Sequence, residues 1–189
     1  MISAKFGRYL EVPLAPVLKK IPLSPNALTV TGFVVTLCAA VALAFHAVLG
    51  GVLLLLGGAF DSIDGMVART NGKASSFGAY LDSVLDRYSD AFLFFGIAYY
   101  LRNGLTGVFL SMGSLIGSLA VSYARARAEG LGVECKVGIM ERPERIILIA
   151  MGALTGYLVP MLLVMFVLTN VTVVQRMLHT RKQLMLRDK

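Results

Sequence analysis

Cysteine and histidine are scarce in this sequence, with two residues of each among 189. Cys38 lies in an apolar run and Cys135 in a polar stretch, and nothing in their spacing indicates a disulfide framework or a thiolate metal site. We therefore expect two free thiols in a reducing compartment. The sequence also contains no linker, low-complexity tract or internal repeat, which favours a single compact domain.

Acidic residues are few as well, since 11 Asp and Glu stand against 18 Lys and Arg and give a formal net charge of +7. A positive charge can indicate nucleic-acid binding, but here the basic residues lie between apolar segments rather than along one face. Hydrophobic residues make up 57% of the chain, and its mean hydropathy is +0.74. A soluble domain of this size could not bury so much apolar surface. The composition therefore predicts an integral membrane protein that binds no nucleic acid.

Apolar runs long enough to cross a bilayer recur along the chain. A transmembrane helix needs roughly 20 mostly apolar residues, and short breaks divide the runs, with Gly50-Gly51 expected at the first turn and Pro160 at the last. We predict an all-α integral membrane domain over residues 1–189 with six transmembrane helices. The predicted helices are 28–49, 51–70, 78–101, 104–125, 143–159 and 160–179.

Lysine and arginine are distributed unevenly around these segments. With a cytoplasmic N-terminus, almost every basic residue falls on the cytoplasmic side and Arg102 falls outside. An even number of crossings then returns the C-terminus to the cytoplasm, with 180–189 as a tail after the helices of 28–179. Residues 1–20 mix apolar and basic side chains, which predicts an amphipathic helix lying on an anionic membrane face.

Five aspartates lie in two of the predicted membrane helices, where each carboxylate costs roughly 2.5–3.5 kcal/mol at the bilayer centre. Asp61 and Asp64 are three positions apart, and Asp82 and Asp86 are four apart, so each pair shares one helix face. The two helices are antiparallel, which lets the pairs face each other. Such carboxylates, with Asp90 nearby, call for divalent cations, and oxygen ligands favour Mg²⁺ or Mn²⁺ over zinc or copper. Helix capping at the membrane surface is the alternative role.

Small residues and one arginine accompany these aspartates. Gly65 and Ala68 follow Asp61 at helical spacing, and Gly78 lies one turn before the third aspartate, so a ligand could approach the backbone closely. Arg69, beside this face, can clamp a phosphate with its forked donors. Helix packing through small residues and snorkelling of Arg69 are the alternative interpretations.

The segment DSIDGMVAR at 61–69, followed by GAYLDSVLD at 78–86, resembles the signature of the CDP-alcohol phosphotransferase family. That signature reads D-x-x-D-G-x-x-A-R, a short gap, then G-x-x-x-D-x-x-x-D, and every fixed position is matched. The resemblance implies an enzyme that moves a phosphate-linked lipid group from a CDP-lipid to an alcohol. It also implies six transmembrane helices around a polar cavity open to the cytoplasm, and a homodimer.

The same resemblance implies roles for the matched residues. Two divalent cations are expected, with Asp86 serving both as a ligand and as the general base. The segment Pro25–Thr29 is similar to the P-N-x-x-T element beside the nucleotide pocket of the family. The implied metal ligands are Asp61, Asp64, Asp82 and Asp86. The implied CDP-lipid-binding residues are Asn26, Thr29, Asp61, Gly65, Ala68, Arg69 and Gly78.

Arginines at the cytoplasmic ends of the last three predicted helices favour an anionic acceptor, although anchoring to the membrane surface is the alternative. Arg142 and Arg145 open a helix, whose exposed N–H groups also attract phosphate. The segments SYARARAE at 122–129 and ERPER at 141–145 resemble the family branch that makes phosphatidylinositol phosphate or archaetidylinositol phosphate from inositol 1-phosphate. The predicted acceptor-phosphate-binding residues are Arg125, Arg142, Arg145 and Arg176.

Several alternatives stay open from the sequence. Glycerol 3-phosphate is also anionic, which makes a phosphatidylglycerophosphate synthase the alternative enzyme. A carboxylate-lined cation transporter is the alternative class, but it gives Arg69 and the small-residue face no evident role. The donor would be CDP-diacylglycerol or CDP-archaeol, and the expected location is the plasma membrane of a prokaryote, with the site facing the cytoplasm.

Overall fold

The computed structural model describes Leu18 and residues 23–187, and the regular structure of that part of the chain is entirely helical. The all-α fold class predicted from the sequence is therefore confirmed. The predicted interfacial helix at 1–20 lies outside the described residues, except for Leu18. The described helices are α1 (Pro25–Phe45), α2 (Ala47–Thr70), α3 (Ser76–Tyr100), α4 (Leu105–Gly130), α5 (Arg142–Thr155) and α6 (Leu158–Arg187).

Four of the described helices, α1, α2, α4 and α6, are long and apolar enough to cross a membrane. Large apolar side chains such as Val41, Phe109 and Val167 are exposed on their surfaces, as expected where a helix contacts lipid instead of water. The other two helices differ, because α3 carries three aspartates and α5 has only 14 residues. Length and composition thus support the membrane class, and support crossing for four helices.

The first helix connection differs from the prediction. Helix α1 ends at Phe45, and the extended backbone of His46 joins it to α2, so Gly50 and Gly51 lie inside α2. A Cβ on Gly50 would lie 2.5 Å from the backbone nitrogen of Leu43. The glycine pair therefore serves close packing of α1 against α2 and does not form the turn.

The last connection is also displaced from its predicted position. Helix α5 ends at Thr155, and the next residue, Gly156, has a φ of +80°, the left-handed conformation that glycine adopts without strain. Pro160 lies in the first turn of α6, where a missing N–H removes no intrahelical hydrogen bond. Helix α6 continues to Arg187, so most of the predicted tail at 180–189 is helical.

The main apolar core occupies one end of the helical bundle. Helix α1 packs against α2 and α3, α5 packs against α2 and α6, and α4 packs against α3 and α6. Buried core residues such as Leu43, Ile97 and Leu162 come from the ends of α1 and α3 and the beginning of α6. The opposite end, where α1, α3 and α5 begin and α2 and α4 end, is left for polar side chains.

The connection between α4 and α5, residues 131–141, is held against the C-terminal half of α6. Its Cys135 is fully buried, Cys38 is exposed, and both are free thiols as predicted. Four α6 side chains, spaced to lie on one helix face, contact backbone groups of this loop. The contacts are Thr172 with the N–H of Met140 (3.1 Å), Arg176 with the carbonyl of Val137 (2.9 Å), His179 with the carbonyl of Glu134 (3.1 Å) and Arg187 with the carbonyl of Leu131 (3.0 Å).

Candidate active site

Three of the predicted metal ligands meet at the polar end of the bundle. Asp61, Asp82 and Asp86 each offer one carboxylate oxygen, and these oxygens lie within 4.8 Å of one another. Asp61 comes from the C-terminal half of α2, whereas the other two lie one turn apart near the beginning of α3. Both helices pack against α1, and the short connection at 71–75 puts the end of α2 beside the beginning of α3. The carboxylates therefore meet at one end of the bundle, and oxygen ligands at this spacing suit a hard divalent cation.

The fourth predicted ligand, Asp64, lies beside this group and is buried, with 6% of its surface exposed. Its Oδ2 atom and the Oδ1 atom of Asp82 are buried and have no hydrogen-bond partner among the described residues. A buried carboxylate oxygen without a donor is costly, and a bound cation would remove that cost. The donor set therefore fits the divalent cations expected from the sequence.

Arg142 lies directly against the carboxylate cluster. Its Nη1 atom is 2.7 Å from Oδ2 of Asp61 and 2.9 Å from Oδ1 of Asp86. From the sequence, Arg142 was predicted to bind the acceptor phosphate, and its contact with the aspartates was not anticipated. Because the guanidinium group contacts oxygens that a metal ion would also use, Arg142 and a divalent cation would compete for the same ligands.

A second ion pair connects α3 with α5 next to the cluster. Nη2 of Arg145 donates to Oδ2 of Asp90 over 2.9 Å, and the two residues are 3% and 5% exposed. The sequence identifies Asp90 as one of five aspartates in predicted membrane helices, but it does not predict this ion pair. The sequence signal for a role of Asp90 in the site is its position one turn beyond Asp86, on the same face of the helix.

One cavity at this end of the bundle lies beside Asp64, and we call it the Asn26 cavity. It has a volume of about 230 Å³ and is bounded by the beginnings of α1 and α3 and the end of α2. All the predicted CDP-lipid-binding residues except Asp61 line it, and Lys73 and Ser75, which were not predicted from the sequence, also contribute. The predicted residues in its wall are Asn26, Thr29, Gly65, Ala68, Arg69 and Gly78.

Glycine keeps the Asn26 cavity open at two positions. A Cβ on Gly78 would lie 3.0 Å from Oδ1 of Asn26, and a Cβ on Gly65 would lie 3.3 Å from Nη1 of Arg69. Larger side chains at either position would therefore displace a polar wall residue or fill the space. This arrangement supports the interpretation of the small residues as a binding surface.

The second cavity, which we call the arginine cavity, has a volume of about 370 Å³. All four arginines predicted to bind the acceptor phosphate line it: Arg125, Arg142, Arg145 and Arg176. Asp82 lines both cavities, whereas Asp86 lines the arginine cavity and Asp64 the Asn26 cavity. Aspartates therefore separate the Asn26 cavity, which small residues line, from the arginine cavity, which four arginine side chains line.

The four arginines differ in how their donors are used. Arg125 pairs with Glu129 over 2.8 Å on an exposed part of α4. Arg176 is buried and donates to the carbonyl groups of Val137 (2.9 Å) and Val121 (2.5 Å). Arg176 therefore holds the 131–141 loop to α4 and α6 in addition to lining the cavity.

Known proteins show the same combination of sequence and fold. Residues 22–180 match the sequence profile of the CDP-alcohol phosphatidyltransferases. The chain belongs to the CDP-alcohol phosphatidyltransferase family. It is similar to the archaetidylinositol phosphate synthase of Methanothermobacter thermautotrophicus, with 40% identity over 176 residues and 89% of each chain covered.

Two solved structures of a bacterial CDP-alcohol phosphatidyltransferase are also similar to this chain. One is the Mycobacterium tuberculosis phosphatidylinositol phosphate synthase with CDP-DAG bound, at a TM-score of 0.79 and 28% identity, covering 91% of this chain and 94% of that chain. The other is the same enzyme in complex with manganese and citrate, at a TM-score of 0.80 and 29% identity, with coverage of 90% and 88%. The family assignment confirms the enzyme class expected from the signature and leaves the transporter interpretation without support.

Proposed function

We propose that this enzyme transfers the phosphate-linked lipid group of a CDP-lipid to inositol 1-phosphate and releases CMP. The observation that carries the proposal is the position of Asp82 in the walls of both cavities. A nucleotide-linked donor and an anionic acceptor, each in its own cavity, would meet at these carboxylates.

The Asn26 cavity is suited to the nucleotide end of the donor. Gly65, Ala68 and Gly78 present backbone to a flat group, while Arg69 and Lys73 add positive charge for a diphosphate. The donor is CDP-diacylglycerol or CDP-archaeol. The CDP-DAG-bound M. tuberculosis enzyme and the archaeal relative support these two lipid classes.

Four aspartates would hold two divalent cations, Mg²⁺ or Mn²⁺. Their partly unsatisfied buried oxygens fit this role, and the M. tuberculosis relative was crystallised with manganese. Bound cations would neutralise the diphosphate and make CMP a better leaving group. The proposed ligands are Asp61, Asp64, Asp82 and Asp86.

The reaction itself exchanges one phosphorus–oxygen bond for another. The acceptor hydroxyl attacks the phosphorus that carries the lipid, a new P–O bond forms, and the bond to the CMP oxygen breaks with its electron pair leaving on CMP. The hydroxyl proton passes to a carboxylate within hydrogen-bond reach. Asp82 and Asp86 line the arginine cavity and Asp64 does not. Of the two, we propose Asp86 as the general base, the role that the resemblance to the family signature implies for it.

The positive charge of the residues that line the arginine cavity favours an anionic acceptor. Four guanidinium groups around one cavity suit a phosphate monoester better than a neutral alcohol. Glycerol 3-phosphate would satisfy the same charge requirement. The names of the relatives, an archaetidylinositol phosphate synthase and a phosphatidylinositol phosphate synthase, favour inositol 1-phosphate.

All six helices are proposed to cross the membrane within one domain spanning 1–189, with exposed apolar side chains such as Phe95 of α3 and Ile147 of α5 facing lipid. Arg69, Lys73 and Arg125 lie at the aspartate end of the bundle and Arg102 at the other, and this asymmetry supports a cytoplasmic position for the cavities and both termini. The proposed location is the plasma membrane of a prokaryote. The homodimer and the interfacial helix at 1–20 stay predictions from the sequence.

An acceptor screen tests the proposal. Purified enzyme with Mg²⁺ and either CDP-diacylglycerol or CDP-archaeol is incubated with inositol 1-phosphate, glycerol 3-phosphate or free inositol, and CMP release is measured. We expect the highest kcat/KM with inositol 1-phosphate and little activity with inositol. Preference for glycerol 3-phosphate would replace the proposed acceptor, and absence of CMP release with every acceptor would contradict the reaction.

A further inference from the structure

We propose that Asp90 is a positioning residue that orients the arginines of α5 toward the anionic acceptor. This inference rests on the proposed function, because it assigns the arginine cavity to that acceptor. Asp90 is not part of the wall of either cavity. Its influence on a ligand must therefore pass through side chains that do line one.

The two carboxylate oxygens of Asp90 face two different arginines. Oδ2 accepts from Nη2 of Arg145 over 2.9 Å, and Oδ1 lies 3.8 Å from Nε of Arg142. Both arginines line the arginine cavity. Since a guanidinium group is planar and rigid, fixing one of its edges also fixes the direction in which its other donors point.

Burial makes the pairing of Asp90 with Arg145 obligatory. The two residues are almost completely inaccessible to solvent, and a buried charge that loses its partner is strongly unfavourable. Nε of Arg145 is also buried and has no hydrogen-bond partner among the described residues. Arg145 is therefore held through Nη2 while it lines the arginine cavity, and its buried Nε is a donor for which the described residues supply no acceptor.

The ion pair also adds a polar connection between two helices. Asp90 and Arg145 are 55 positions apart in the sequence, and the main packing partners of α5 are α2 and α6. Asp90 thus ties the first turns of α5 to α3, which carries Asp82 and Asp86. This connection fixes the position of the acceptor-binding arginines relative to the reacting carboxylates along the axis of α3.

The test compares Asp90→Asn, Arg145→Gln and the double variant in full-length enzyme, with KM and kcat measured separately for CDP-lipid and inositol 1-phosphate. Asp90→Asn is expected to raise the acceptor KM by about tenfold, the scale of one weakened charge-assisted hydrogen bond, and to leave the donor KM within about twofold. A purely structural role would reduce the amount of active enzyme, and hence the apparent kcat, without changing the acceptor KM. An unchanged acceptor KM would overturn the proposal.

The double variant keeps the proposal testable if Asp90→Asn alone does not fold, because removing both charges of a buried pair is often tolerated. If Asp90 acts through Arg145, the acceptor KM of the double variant is within about threefold of that of Arg145→Gln. A clearly higher acceptor KM in the double variant would assign the additional effect to Arg142, the second arginine that Asp90 faces. An acceptor KM equal to that of the unmodified enzyme in the double variant would overturn the proposal. Failure of the proposed function would be distinct, since the unmodified enzyme would then release no CMP with inositol 1-phosphate.

Ser111→Ala provides the matched control for loss of a buried polar contact with α3. Ser111 is fully buried and donates to the backbone carbonyl of Phe94 over 2.8 Å, away from both cavities. This variant is expected to lower the unfolding temperature while both KM values stay unchanged. A rise in acceptor KM in Ser111→Ala as large as that in Asp90→Asn would show that general loosening of α3 is sufficient.

Discussion

The side-chain oxygen of Thr172 accepts the backbone N–H of Met140 over 3.1 Å, in buried surroundings. Met140 immediately precedes Glu141 and Arg142, so this bond fixes the end of the 131–141 loop just before Arg142 reaches the carboxylates. The loop passes α6 very closely, since a Cβ on Gly138 would lie 2.5 Å from Cγ2 of Thr172. The last helix therefore has a direct part in placing the active site.

Replacing Thr172 with valine keeps the shape of the side chain but leaves the Met140 N–H without its acceptor. An unsatisfied buried N–H costs roughly 1–3 kcal/mol, so the unfolding temperature should fall and the Met140 amide should exchange faster in hydrogen-exchange measurements. Thr155→Val is the control, because Thr155 is exposed and its hydroxyl donates to the Met151 carbonyl of its own helix. Equal effects of the two variants would contradict the assigned role of Thr172.

Asp86→Asn should abolish turnover more completely than it weakens CDP-lipid binding. General base catalysis contributes roughly 10²–10⁴-fold, so kcat should fall by at least about two orders of magnitude at saturating metal. Donor affinity, measured separately by equilibrium binding, should change much less. Ser89→Ala, at a buried position one turn away on α3, is the control for altered packing. A near-normal rate in Asp86→Asn would remove Asp86 as the base.

Gly78→Ala should impair use of the donor specifically. The added methyl group would lie 3.0 Å from polar atoms of both Asn26 and Ser75, and forcing it into the Asn26 cavity costs roughly 1–3 kcal/mol. We expect the KM for CDP-lipid to rise about tenfold and the acceptor KM to stay unchanged. Gly130→Ala is the matched control, because a Cβ there meets nothing within 4 Å. If acceptor KM rose instead, the Asn26 cavity would not be the donor site.

Arg142→Gln should tighten the binding of Mn²⁺, even though it removes a residue of the active site. The guanidinium group lies 2.7 Å from Asp61 and 2.9 Å from Asp86, and its loss frees those oxygens and removes a repelling charge. Titration of Mn²⁺ followed by electron paramagnetic resonance should show a severalfold lower Kd. Arg125→Gln, which instead separates a pair with Glu129, should leave the Kd unchanged. Weaker binding in Arg142→Gln would contradict competition, and no binding by the unmodified enzyme would contradict the metal site itself.

The sequence predicted those parts of the site that depend on neighbouring turns of one helix or on two helices joined by a short loop. Asp61, Asp82 and Asp86 fall into this class, because helical spacing and the short connection between α2 and α3 put them at the same end of the bundle. Helical spacing also predicted Gly78, and the resemblance to the family added Asn26. The two residues belong to different helices and meet in one cavity.

Contacts between distant parts of the chain could not be predicted from the sequence. The direction of the long Arg142 side chain depends on the charges around it in the folded protein, so its contact with two aspartates could not be predicted. Gly50 was wrongly assigned to a turn, because glycine is used both for turns and for close approach of backbones. The two uses are distinguished only by the folded structure, in which Leu43 lies too close to Gly50 for a side chain there.

Helix α5 begins beside the middle of α3 and not beside its first turn, and this affects how a soluble molecule reaches a lipid. Arg142, the first residue of α5, contacts Asp86, which lies ten residues into α3, or about 15 Å along its axis. If the 25 residues of α3 cross a bilayer with a hydrocarbon thickness of roughly 30 Å, Asp86 would lie about a third of the way into it, in the wall of the arginine cavity. The sugar phosphate could then descend to the phosphorus, and the fatty or isoprenoid tails of its partner need never leave the hydrocarbon.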